Sequence, residues 1–112
     1  MADPQIMAFL GKAKDAWEDE ISPEQKVLRD AYSGDDAKKA ERQTRIGGMW
    51  MAAGGGADGL SCDQFKVFAN NHFDHEDNEC GGKHRLPAAT LDDAYATAVA
   101  SSGVAGEPLK IA

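Results

Sequence analysis

Cysteine is scarce in this chain of 112 residues: Cys62 and Cys80 are the only two. Two thiols define no disulfide framework, so a reduced, cytoplasmic setting is expected, with a single Cys62–Cys80 bridge left open as an alternative. Long apolar runs are missing as well. Nothing approaches the roughly 20 residues of a membrane-spanning helix, which removes a membrane from the expected partners. The opening MADPQIMAFLGKAKDAW has no basic start and is interrupted by Lys12 and Lys14, so it makes a poor secretory signal. Basic residues are in deficit: 12 Lys and Arg stand against 19 Asp and Glu, a net charge of −7. A field of that sign repels phosphate, and no basic stripe offsets it, so nucleic acid is excluded as a partner. Cations or a basic protein surface are favoured. No alternating run is long enough to argue for a sheet.

What remains is helical. At this length one domain is expected, and the aromatic residues, from Phe9 to Tyr95, are spread along the whole chain, as a core drawing on all of it requires. Asp3-Pro4 is a cap followed by proline at the first helical position. Behind it Ile6, Phe9, Leu10, Ala13, Ala16 and Trp17 recur at helical spacing. Glu18-Asp19-Glu20 opposes the helix dipole and predicts fraying. Ser22-Pro23-Glu24 opens a second helix, with Val27, Leu28, Ala31 and Tyr32 on one face, closed by Ser33-Gly34. Asp35 or Asp36 caps a third, running into Ile46, Met49, Trp50 and Ala53 through Gly47-Gly48. That glycine pair marks either close packing of a neighbour or a hinge. Ser61-x-x-Gln64 is a capping-box pattern for a fourth helix bearing Phe65, Val67, Phe68 and His72. Residues 74–87 are polar and read as loop. Thr90 caps a fifth helix with Leu91, Ala94, Tyr95, Ala98 and Val99, and Gly103 follows its end. The expected fold is all-α, with about five helices: an N-terminal helical hairpin (1–34), a helix–loop–helix (35–73), then a loop, a fifth helix and a second glycine loop (74–112).

Internal repetition supports that division. AAGGGADGL at 52–60 is echoed by SSGVAGEPL at 101–109, forty-nine residues on. In each, a helical stripe enters a glycine-rich stretch with one acidic residue and ends at leucine. The run Asp58-Gly59-Leu60-Ser61-Cys62-Asp63-Gln64-Phe65 resembles the second half of an EF-hand loop passing into its exit helix, and Trp50 suits the entering helix. The chain is similar in size and charge to the small acidic calcium-binding proteins of the calmodulin and sarcoplasmic type. The resemblance implies that Leu60 pairs with a partner loop in a short β-bridge, with Leu109 or Ile111 opposite, and that Phe65 starts a core face.

The resemblance also shows where the ligands should be, and they are missing. With Leu60 at the apolar position, the first three ligand positions fall on Ala53, Gly55 and Ala57, Asp58 takes the glycine position, and Gln64 replaces the bidentate Glu. In the second copy those positions fall on Val104, Gly106 and Pro108. Calcium requires six to eight oxygens, so Asp58 and Asp63 offer at most a weak site. The implied function is a calcium-binding-family scaffold with depleted loops, acting as an interaction module toward a protein partner or itself. Its groove would be lined by Met49, Trp50, Met51 and Phe68, a stripe that equally reads as core.

A second function class rests on HFDHEDNECGGKH, residues 72–84. It gathers all three histidines and one cysteine, and His72, His75, Cys80 and His84 are ligand types that zinc prefers. Asp74, Glu76, Asp77 and Glu79 add negative potential, and Asp74, Glu76 and Asn78 alternate as oxygen ligands do. Against this, His72 reads as a half-buried residue at helical spacing from Phe65 and Phe68, and His75 and His84 read as surface. No cofactor is required, and a divalent metal, zinc or calcium, is the sole candidate. Catalysis has no support: Gly54-Gly55-Gly56 precedes no Lys-Ser/Thr, and nothing selects a Cys–His dyad, so an enzyme is not expected.

Overall fold

The computed structural model describes residues 4–56, 58–80 and 85–111. The fold is all-α: α1 (Pro4–Phe9), α2 (Gly11–Glu20), α3 (Pro23–Gly34), α4 (Asp36–Ala52), α5 (Cys62–Cys80) and α6 (Ala88–Ser101). Among the described residues, the only β pairing is an isolated antiparallel bridge between Leu60 and Leu109.

Among the described residues six helices replace the five expected, because the first stripe is split. The N–H of Leu10 bonds to Met7 O at 3.2 Å, a tightened turn, and Gly11 follows. The stripe itself is intact: Ile6, Phe9, Leu10, Ala13 and Trp17 are all buried. The fraying expected at Glu18–Glu20 is not found. Ile21 is buried beyond that end with its N–H bonded to Trp17 O, and Glu18 pairs with Arg29 of α3. Local capping chemistry is where the sequence placed it for three helices. Ser22 and Gln25 form a reciprocal box at the start of α3, Asp35 accepts from Lys38 N at 3.0 Å, and Ser61 and Gln64 exchange bonds of 3.3 and 2.9 Å ahead of α5. For α6 the expectation was three residues late: Pro87 is the N-cap, and Thr90 lies inside the first turn.

Helix α3 is turned round relative to its apolar stripe. Tyr32 is its one buried residue, whereas Val27 and Leu28 are 69% and 50% exposed. The contacts that α3 makes inward are polar: Arg29 meets Glu18 of α2, and the hydroxyl of Tyr32 accepts from Arg45 of α4 at 3.0 Å. Helix α4 runs unbroken through Gly47-Gly48. Around Gly48 a Cβ would meet nothing within 4 Å, so neither close packing nor a break accounts for that residue.

The largest correction concerns 74–80, since 85–87 are non-helical as expected and 81–84 lie outside the described residues. Helix α5 continues to Cys80, carrying Asp74, His75, Glu76, Asp77, Asn78 and Glu79 as helical residues. Its inward stripe is Phe65, Phe68, Ala69, His72, Phe73, Glu76 and Asp77, helical spacing throughout. The last two are acidic yet buried, since α4 supplies Arg42 and Arg45 to Glu76 and Trp17 donates to Asp77 at 2.8 Å. This helix also removes the possible disulfide. Cys62 and Cys80 stand at its two ends, about 27 Å apart at 1.5 Å per residue, far beyond disulfide reach.

The core sits where α1 and α2 pack over α4 and α6, with α5 beneath. Trp50 is its hub, edge-on to Phe68 at 5.5 Å and tilted against Phe9 at 5.7 Å. Phe65 meets Tyr95 at 5.6 Å, joining α5 to α6. Burial of such aromatic faces is the dominant favourable contribution to folding.

Candidate functional site

The two glycine-rich segments meet. Leu60 N donates to Leu109 O and Leu109 N to Leu60 O, both at 2.8 Å, so the bridge expected of Leu60 is present and Leu109, not Ile111, is its partner. Both leucines are fully buried. Each segment leaves its helix in the same way. Ala53 and Ser102 are right-handed C-cap residues, and the next residue is a left-handed glycine, Gly54 at φ 108° and Gly103 at φ 83°. Six residues after each glycine comes the bridging leucine. Gly59 at φ 75° lies so close to the opposite segment that a Cβ would stand 2.3 Å from Leu109 O. Tyr95 fastens the pair from beneath, donating its hydroxyl to Leu60 O at 3.1 Å.

Beside this bridge lies an open cleft of about 520 Å³, its rim formed by Asp58, Gln64, Cys62, Tyr95 and Glu107. Its chemistry is thin. Gln64 accepts Ser61 N–H through Oε1, so its side chain is committed to a helix cap. Asp63 is exposed on the first turn of α5 and does not line the cleft, and Ala57 lies outside the described residues. Two carboxylates, Asp58 and Glu107, remain, against the six to eight oxygens that calcium requires. Among the described residues no group of three His, Cys, Asp or Glu could hold a metal ion.

Cys62 is not primed as a nucleophile. Burial and its hydrogen bond to Asp92, with Sγ–Oδ1 at 3.3 Å, push its thiol pKa up, and a protonated thiol is a poor nucleophile. Lys66 reaches the same carboxylate at 2.6 Å; hydrogen bonds from Lys66 and Cys62 hold Asp92 below the usual carboxylate range. A dyad with His72 is ruled out by distance, since ten residues on one helix separate them by about 15 Å.

Of the proposed zinc ligands, the two whose side chains are described, His72 and His75, are not brought into one site. His72 is 5% exposed and faces Glu76, Nε2 to Oε1 3.5 Å. That Glu76 oxygen is claimed by Arg42 Nε at 2.8 Å and Arg45 Nη2 at 3.5 Å. Burial first, and then these two guanidinium groups, drive the His72 pKa down to about 3. The burial and positive neighbours that disfavour a proton there also disfavour a divalent cation. His75 is half-exposed beside Glu79 at 3.6 Å. Cys80 closes α5, and His84 lies outside the described residues.

The expected groove also divides. Trp50 and Phe68 are buried core, Met49 is partly buried against it, and Met51 is exposed. Trp50 lies on the inward face of α4, edge-on to Phe68, and Met51, about a quarter-turn further round the helix, faces solvent. The large apolar side chains that do face solvent include Val27 and Leu28 of α3 and Val67 of α5. Hydropathy spacing missed that surface because it assumed that the apolar stripe of α3 faces in. The available signal was charge: Arg29, Arg42 and Arg45 require acceptors, which half-buried Glu18 and buried Tyr32 and Glu76 supply.

Comparison of the chain with protein-family models, with curated proteins and with solved structures finds no match.

Proposed function

We propose that this chain is an EF-hand-like scaffold of the small acidic calcium-binding type whose loops have lost the ion and which acts as a protein-interaction module. The observation that carries this reading is the reciprocal Leu60–Leu109 bridge between two segments that share a left-handed glycine, a six-residue interval and a bridging leucine. Paired loops joined by one short bridge are what the resemblance implies. With Leu109 as the bridging residue, the second loop begins at Ser102, and its first ligand positions become Ser102, Val104 and Gly106. The hydroxyl of Ser102 is committed to its own backbone: it lies 2.9 Å from Val99 O and accepts Val104 N–H at 3.1 Å. Neither loop therefore presents the oxygens of a working site.

The bridge in these loops takes over the task of the absent ion, holding them together by backbone hydrogen bonds and leucine burial. For the interaction surface, the outward stripe of α3 replaces the groove first considered. Val27 and Leu28 are exposed in adjacent positions on a helix whose other face is anchored through Arg29 and Tyr32, and such apolar exposure marks contact surfaces.

Calorimetric titration of the chelator-treated protein with calcium and with zinc tests the scaffold: no saturable heat is expected with either ion, and micromolar calcium binding would overturn the ligand count. The surface is tested by the double substitution Val27→Lys with Leu28→Lys. It should abolish association, whether with a protein partner or between copies in sedimentation velocity, while leaving the melting temperature unchanged.

A further inference from the structure

Away from the paired loops, a cavity of about 70 Å³ lies between the N-terminal helices and α4 and α5. Leu10, Trp17, Ile46 and Phe73 give it an apolar wall, and His72 with Glu76 gives it a polar end. His72 is more than nine-tenths buried, and its Nδ1 has no hydrogen-bond partner among the described residues. Interiors rarely leave such a group unsatisfied.

The hydrogen-bonding character of that nitrogen follows from its neighbours. Nε2 faces Glu76 Oε1 at 3.5 Å, and Glu76, ion-paired with Arg42 and Arg45, only accepts. The single hydrogen of a neutral imidazole therefore belongs on Nε2, and Nδ1 presents a bare lone pair. A ligand must bring a donor. A halide or carboxylate has none. An ammonium has several but would enter beside Arg42, with Arg45 behind Glu76 and Lys14 also lining the cavity. A neutral hydroxyl satisfies both demands. On size, one water occupies roughly 10–15 Å³ in this measure, so the space takes about five to seven non-hydrogen atoms.

We propose that this cavity binds a small neutral alcohol, its hydroxyl donating to His72 Nδ1 and its short hydrocarbon part lying against Leu10, Ile46, Trp17 and Phe73. The inference is independent of the EF-hand-like reading, because no residue of the paired loops takes part. Water alone has the donor but gains nothing from the apolar wall, and it is the rival occupant.

The test uses the intact chain and two probes of equal heavy-atom count, 1-propanol and ethyl methyl ether, of which only the first has a donor. Long-range ¹H–¹⁵N spectra of the histidine rings report Nδ1 of His72 directly. The expected result is a saturable shift of that nitrogen with 1-propanol, at least tenfold weaker binding of the ether, and loss of the saturable response in His72→Phe. Should that variant fail to fold, as judged by near-ultraviolet circular dichroism, the alcohol-against-ether comparison on the unsubstituted protein decides alone. Shifts that grow linearly with both probes, equal affinity for the two, or saturable binding that leaves Nδ1 unmoved would each overturn the assignment.

Discussion

A methyl group on Gly59 would stand 2.3 Å from the carbonyl oxygen of Leu109, at a backbone φ of 75°. Both the clash and the left-handed conformation act against any other residue. Gly59→Ala should therefore destabilise the protein by about 2 kcal/mol or more, read as a lowered midpoint in urea denaturation. His72 supplies a second residue-scale expectation. Its pKa falls from the ordinary 6.5 to about 3 in the folded protein. Between those values the unfolded chain takes up a proton that the folded chain refuses. Stability is thus fully present above pH 6.5 and declines as pH drops from 6.5 toward 3, at up to about 1.4 kcal/mol per pH unit from this group. The difference in urea midpoint between the unsubstituted protein and His72→Gln, followed from pH 7.5 to 4.5, isolates this contribution from the carboxylates. A difference that stays constant with pH would refute it.

Among the elements, helix starts governed by local chemistry were readable and longer-range choices were not. Ser22, Asp35 and Ser61 cap α3, α4 and α5 as their short motifs require, since every partner lies within three residues. The extent of α5 could not be read that way. Glu76 and Asp77 look like loop residues until Arg42, 34 residues away, and Trp17, 60 residues away, are placed beside them. The outward turn of α3 has the same origin, because its polar face has partners that spacing along one helix does not reveal. For that reason the candidate metal ligands, read as neighbours in a loop, part company once the helix sends His72 inward and leaves His75 half-exposed. In α4, Gly48 has open space where a side chain would stand, so Gly48→Ala should raise stability by up to about 1 kcal/mol, the difference in helix propensity between the two residues. Thermal or urea unfolding measures it, and a loss of stability would reveal a neighbour at that position.

Across the whole molecule, the class of fold and most of the core were legible. Ile6, Phe9, Trp17, Ile46, Phe65 and Leu91 are buried as their spacing predicts. The meeting of two segments forty-nine residues apart was legible only through the repeat and the resemblance, as was the scarcity of oxygen ligands in both. If the bridge stands in for an ion, millimolar calcium or excess chelator should shift the melting temperature by less than about 1 °C, because only an ion held by the folded form alone can raise it. The bridge has one more consequence, for the rate at which the protein trades its amide protons for deuterium. Leu60 and Leu109 lie in glycine-rich stretches where most backbone protons should be lost within moments, yet theirs are buried and each is bonded to the other residue's carbonyl. These two amides should persist as long as those in the heart of α5, and both should vanish together, since neither can be released without parting the same two segments.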